Sequence, residues 1–126
     1  MTLANSTIAG FIPTTDLDRA HLFFSEKLGL NLSEKTEYAL EYTVKGAKLR
    51  VTLVAKNVCA DHTVFGWEVT DIESVMAGLI TRGVRFEMYA GMPQDERGVC
   101  TFPGGGKVAW FKDPDGNTLS LTRSAR

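Results

Sequence analysis

No apolar run in this chain approaches the roughly eighteen residues needed to cross a bilayer. Nothing near its N-terminus joins a basic segment to an apolar stretch and a small-residue cleavage site. Neither a membrane span nor a secretory leader is expected, and the expected location is the cytoplasm. Excess charge of one sign is missing too. Fourteen Lys and Arg against fifteen Asp and Glu leave a formal net charge of -1, so no global field draws the protein to nucleic acid or to an anionic membrane. Any partner must be recognised at a local site. Cysteine is scarce: Cys59 and Cys100 stand alone with no CxxC spacing, which argues against a disulfide framework or a zinc site. No Ser, His and acid set and no Cys and His pair falls at a recognisable spacing, so covalent catalysis has no support. The glycines of "PGGGK" precede no Ser or Thr and open no helix, and the stretch reads as a hairpin turn rather than a phosphate loop.

What is present is an ordinary globular composition, 126 residues with 44% hydrophobic side chains, enough for one domain that buries roughly two thirds of its unfolded surface. The chain also says the same thing twice. "STIAGFIPTTDLDRAHLFFSEKLGLN" (6–31) and "HTVFGWEVTDIESVMAGLITRGVRF" (62–86) both run from an apolar stretch through "TDL" or "TDI" into a helical pattern that stops at glycine. Leu17, Ala20, Phe23, Phe24 and Leu28 follow helical spacing before Gly29, and Ile72, Val75, Met76, Leu79 and Ile80 do so before Gly83. Thr15 or Asp16 can cap the first helix, and Thr70 with Glu73 fits a capping box for the second.

Strand signals follow each helix. "YALEYTV" and "AKLRVTLVA" flank the turn Lys45-Gly46, "GVCTF" and "KVAWF" flank "PGGG", and "TLSLT" follows "DPDG". The expectation is a single domain over 1–126 made of two similar modules, 1–57 and 58–126, with "KNVCADH" as a short polar connection. Residues 88 to 99, "MYAGMPQDERGV", show neither period and read as a loop over a cavity mouth, with Tyr89 and Met92 as candidate ligand contacts.

Two stretches, "TTDLDRAHLFFSEKLGL" and "AWFKDPDGNTLSL", make the chain resemble the vicinal oxygen chelate superfamily of glyoxalases, bleomycin-resistance proteins and extradiol dioxygenases. The resemblance implies an α+β fold of two βαβββ modules whose strands form a half-open curved sheet, usually in a homodimer. In the superfamily's enzymes a divalent metal is held by His or Glu from the first and last strands of each module. The matching positions here are Ala9, Thr52, Val64 and Ser120. None offers a carboxylate or imidazole that could compete with water for a divalent cation.

The resemblance therefore implies a binding protein without a metal or other cofactor, one that sequesters a drug or metabolite in a groove. Two alternatives stand beside it: a metal-dependent glyoxalase- or dioxygenase-like enzyme with a shifted site using His62 and Glu68, and an accessory dimeric module without a working cavity. With the ligand-equivalent positions facing inward as the resemblance implies, Thr52, Val64 and Ser120 are groove contacts and strand alternation adds Phe11, Arg50, Glu68 and Trp110, beside Tyr89 and Met92 of the loop. Ile12, Trp67, Val69, Leu119 and Leu121 would then face the helices. Arg50 suits a carboxylate or phosphonate and Glu68 an ammonium; an internal ion pair or solvated rim charges is the other reading of both. The expected partner is a small organic molecule.

Overall fold

The computed structural model describes residues 2–125 and divides into two compact units, Met1–Val58 and Cys59–Arg126. In the first unit a short 3-10 turn, Leu3–Asn5, precedes β1 (Ala9–Thr14), α1 (Leu17–His21), β2 (Asn31–Lys35), β3 (Ala39–Val44) and β4 (Ala47–Leu53). The sheet order is β1-β4-β3-β2, with β1 parallel to β4 and the other pairs antiparallel. The second unit repeats this plan with β5 (Phe65–Glu68), α2 (Ile72–Thr81), β6 (Cys100–Thr101), β7 (Lys107–Lys112) and β8 (Thr118–Arg123), ordered β5-β8-β7-β6. Two open four-stranded sheets, each with one helical segment inside a βαβββ order, make the fold α+β.

Alternation decides the faces of the first sheet. Ile12, Leu40, Tyr42, Leu49 and Val51 are buried with Ala20, Phe23 and Phe24 of the helical segment. The Tyr42 hydroxyl shares a 2.7 Å hydrogen bond with Ser25 Oγ, and its ring lies 6.1 Å from that of Phe24. The helix departs from the regular period expected of it. After His21 it widens into π-helical turns over Leu22–Lys27, and the Leu28 N–H donates to the Phe23 carbonyl five residues back. A wider turn reduces the angle between neighbouring side chains, so the adjacent Phe23 and Phe24 can both be buried, their rings edge to face at 5.2 Å. Gly29 and Gly83 end the two helical segments at φ 74° and 94°, the left-handed region that glycine enters at no steric cost.

In the second unit Ile72, Met76 and Leu79 of α2 are buried, as are Ala109, Phe111, Leu119 and Leu121 of the sheet. Phe111 gathers Trp67 in a stack at 6.2 Å and Phe86 edge to face at 5.4 Å. The caps are aspartates. Asp16 accepts from the Arg19 N–H and Asp71 from the Ser74 N–H. The expected Thr70–Glu73 capping box is thus displaced by one residue, because Asp71 already supplies the acceptor and Glu73 instead pairs with Lys107 at 2.8 Å. "PGGG" is a turn, with Phe102 N–H donating to the Gly106 carbonyl, and Lys45-Gly46 closes its hairpin with both residues at positive φ.

Candidate functional site

Three neighbouring strands of the second sheet grade their side chains from large to none. Trp110 on β7 pairs with Ser120 on β8, and Ser120 pairs with Gly66 on β5. A Cβ built on Gly66 would lie 2.6 Å from Ser120 Oγ and 2.8 Å from the Ser120 carbonyl oxygen, so only glycine fits there. Val64, Glu68, Thr118 and Thr122 share this face by strand parity.

The chain after α2 returns along this sheet. Phe86 bridges to Phe111, Glu87 N–H donates to the Trp110 carbonyl, and the Tyr89 ring meets the Trp110 ring at 5.6 Å with 76° between planes. One side chain holds the loop in this path. Gln94 Oε1 accepts from the Tyr89 N–H at 2.7 Å, while Nε2 donates to the carbonyls of Glu87 at 2.9 Å and Gly98 at 2.7 Å. Asp95 adds a second tie by accepting from the N–H groups of Val99 and Arg97, and the Val99 bond leads in holding its carboxyl below the usual range.

On the other side, residues 59 to 64 are tied to the closing hairpin. The Cys59 thiol donates to the Asp115 carbonyl, the Thr118 hydroxyl to the Ala60 carbonyl, and Val64 N–H to the Thr118 carbonyl. The "DPDGN" turn behind them is built on Asp113. Its carboxylate accepts from Asp115 N–H, Asn117 N–H and Asn117 Nδ2, and burial pushes its pKa up. Between the two ties lies a hollow of about 310 Å³ lined by Asp61, His62, Thr63, Tyr89, Met92, Trp110 and Thr118. Apolar surface predominates in it. Its size sits at the lower end of small-molecule sites.

Tyr89, Met92 and Trp110, singled out from the sequence, come together here with His62. Ser120, Val64 and Glu68 share the sheet face but do not line the hollow. Glu68 is engaged elsewhere: it accepts from Ser124 N–H at 2.6 Å and Thr122 Oγ1 at 2.9 Å, and the Ser124 bond leads in lowering its pKa. In the first unit Phe11 is 62% exposed on the sheet face opposite the helix. Its neighbour Arg50 pairs with Glu41 at 3.1 Å, with Lys48 at 3.7 Å from the same carboxylate oxygen, and the Arg50 bond leads in lowering the Glu41 pKa. For Arg50 the geometry matches the internal ion pair, one of the two readings left open by the sequence. Thr52 Oγ1 is buried without a hydrogen-bond partner.

Asp61, Thr63, Thr118 and the Gln94 clip were not singled out from the sequence. Thr118 was within reach, since it lies two residues before Ser120 on the same strand; the others follow no period. Among the described residues no group of three or more His, Cys, Asp or Glu side chains is arranged to hold a metal ion. The residues at the four ligand-equivalent positions do not fit one either, since Ser120 is a neutral hydroxyl wedged between Gly66 and Trp110, and Thr52 a neutral hydroxyl beside Ala39.

A family model described as the Glyoxalase/Bleomycin resistance protein/Dioxygenase superfamily matches residues 6–121. Among solved structures, the chain is similar to a glyoxalase/bleomycin resistance protein/dioxygenase from Alicyclobacillus acidocaldarius, with a TM-score of 0.70, 20% identity, and 100% of this chain and 96% of that one covered. It is similar to a lactoylglutathione lyase from Agrobacterium tumefaciens, with a TM-score of 0.73 at 13% identity over 95% and 94% of the two chains. A glyoxalase-related enzyme from Fulvimarina pelagi gives 0.69 at 16% identity over 95% and 88%. At such identities the likeness is one of fold. No curated protein matches the chain by sequence.

Proposed function

Because the chain belongs to the glyoxalase/bleomycin resistance protein/dioxygenase superfamily, we propose that it binds a small organic molecule in the hollow of its second unit and does so without a divalent metal. One observation carries this reading: Tyr89, Met92 and Trp110 converge on a space of about 310 Å³, while the superfamily's metal-ligand positions hold Ala9, Thr52, Val64 and Ser120. An aromatic wall with a few polar groups recognises an organic framework by burial and orientation. In the superfamily's enzymes a divalent metal would supply Lewis-acid polarisation of substrate oxygens, and Ala9, Thr52, Val64 and Ser120 offer no carboxylate or imidazole to hold one. Sequestration of a drug or metabolite is the activity that fits. The superfamily's usual homodimer, both modules working as one domain, and a cytoplasmic location are parts of the same proposal.

The test combines metal loading with ligand screening. After incubation with Ni, Zn, Mn or Fe(II) and desalting, elemental analysis is expected to find far less than one metal per chain, and stoichiometric retention would overturn the reading. In a thermal-shift screen at a hundredfold excess over its dissociation constant, a ligand stabilises by about 2.7 kcal/mol. That shift is expected to vanish in Trp110→Ala while the unliganded variant stays folded. Sedimentation should report twice the 13.8 kDa chain mass; a monomer at micromolar concentration would remove the dimer from the proposal.

A further inference from the structure

The hollow's charge and its aromatic geometry together specify an occupant. Resting on the binding reading above, we infer that the hollow takes an organic cation, an ammonium bearing apolar substituents, seated against Tyr89 and Trp110 with Asp61 as its counter-charge.

Two π-systems whose planes stand at 76° with centroids 5.6 Å apart offer a cation two electron-rich surfaces at once. The attraction strengthens when the cation is shielded from water. Met92 adds a polarisable sulfur to the same wall. A substituted ammonium matches such a wall better than a bare metal ion or a primary amine, because its alkyl groups gain from burial while its charge interacts with the rings.

The fixed charges point the same way. Of the seven lining residues none is Lys or Arg, and Asp61 is the carboxylate among them. Asp61 has no ion-pair partner among the described residues, so its charge is available to a ligand. A second negative charge stands near the aromatic corner: after burial, the charge of Glu87 is what raises the Tyr89 pKa, and Glu87 has no ion pair among the described residues either. Lys112 is the opposing group. Its Nζ donates to Thr118 Oγ1 at 3.2 Å, so positive charge stands at the Thr118 end. Thr118 Oγ1 in turn donates to the carbonyl of Ala60, next to Asp61, so Lys112 offsets part of the Asp61 charge. The ligand's cation therefore belongs against the Tyr89–Trp110 rings, with the Asp61 carboxylate acting on it across the hollow, and a neutral or hydrogen-bonding portion of the ligand belongs toward Thr118.

The full chain is titrated with three probes of nearly one shape: choline, its neutral isostere 3,3-dimethylbutan-1-ol, and 3,3-dimethylbutanoate. The indole N–H resonances of Trp110 and Trp67, assigned with Trp110→Phe, provide the readout. Choline is expected to shift the Trp110 resonance and leave Trp67 in place, with the alcohol and the carboxylate at least about tenfold weaker. Asp61→Asn should weaken choline about fivefold and leave the alcohol unchanged, and Lys112→Met should strengthen choline. If the alcohol or the carboxylate binds at Trp110 as tightly as choline, the cation preference is overturned while the hollow stands as a binding site. Choline binding that is indifferent to Asp61→Asn also overturns the proposal. If none of the three moves the Trp110 resonance, the cation proposal falls, while the binding reading is decided apart from it by the thermal-shift screen and Trp110→Ala.

Discussion

A single missing atom explains why β5 and β8 can lie as they do. Any side chain at Gly66 would drive a Cβ into both the hydroxyl and the carbonyl oxygen of Ser120, and the carbonyl cannot rotate away. Gly66→Ala is therefore expected to destabilise the protein by about 1–3 kcal/mol, measured as a lowered urea midpoint, with Ser120→Gly restoring only part of the loss. The opposite outcome is expected at Thr52. Its buried hydroxyl has no partner, and replacing an unsatisfied polar atom by a methyl group of similar shape removes a desolvation penalty of about 1 kcal/mol or more. Thr52→Val should raise the thermal midpoint by a few degrees. Neither effect was legible from residue type alone. A glycine in a strand and a threonine in a strand are common, and only the distances to Ser120 and the lack of a partner give them meaning.

Elements were more legible than their boundaries. The apolar spacing of residues 17 to 28 and 72 to 80 announced both helical segments, since burial of one stripe fixes a period that sequence displays directly. It did not announce the π-helical turn, which arises from the need to bury two adjacent phenylalanines against one sheet. Nor did it place the second cap, where Asp71 serves in place of Thr70. Asp71→Ala should cost about 1 kcal/mol of stability and Thr70→Ala close to nothing, a contrast that paired denaturation curves will show. The strand β2 carried little signal because it is a largely exposed edge strand, whereas "GVCTF" announced β6, of which only Cys100 and Thr101 pair as a strand. The loop over the hollow was recognisable as a loop, yet its course depends on Gln94. Gln94→Leu would leave the Tyr89 N–H and the carbonyls of Glu87 and Gly98 without their present partner. Faster hydrogen exchange at the Tyr89 amide is expected, with a stability loss of about 1–3 kcal/mol.

For the molecule as a whole, acid is the perturbation whose sign the charges fix. Glu41, Glu68, Glu73 and Asp95 all have lowered pKa values, led respectively by Arg50, the Ser124 N–H, Lys107 and the Val99 N–H. A group whose folded pKa lies below its unfolded value gives stability that is present above the unfolded value and lost as pH falls through the folded one. Stability should thus decline as pH drops below about 4.5, the ordinary glutamate value. Asp113 runs the other way. Burial raises its pKa, so the folded state binds its proton more readily and this group's contribution grows as pH falls. In Asp113→Asn that offset is gone, and the loss of urea stability between pH 6 and pH 3 should be larger than in the parent chain. By itself the sequence determined the doubled βαβββ plan, both helical segments, the closing hairpin and the family, because periodicity, glycine stops and turn residues act over short stretches and leave a local record. Tertiary structure alone decided which candidate residues meet. Tyr89, Met92 and Trp110 reach one hollow with Asp61 and His62, while Glu68 is held by the Ser124 amide and Arg50 by Glu41; such meetings depend on loop paths and competing hydrogen bonds between residues far apart in the chain, for which no period exists.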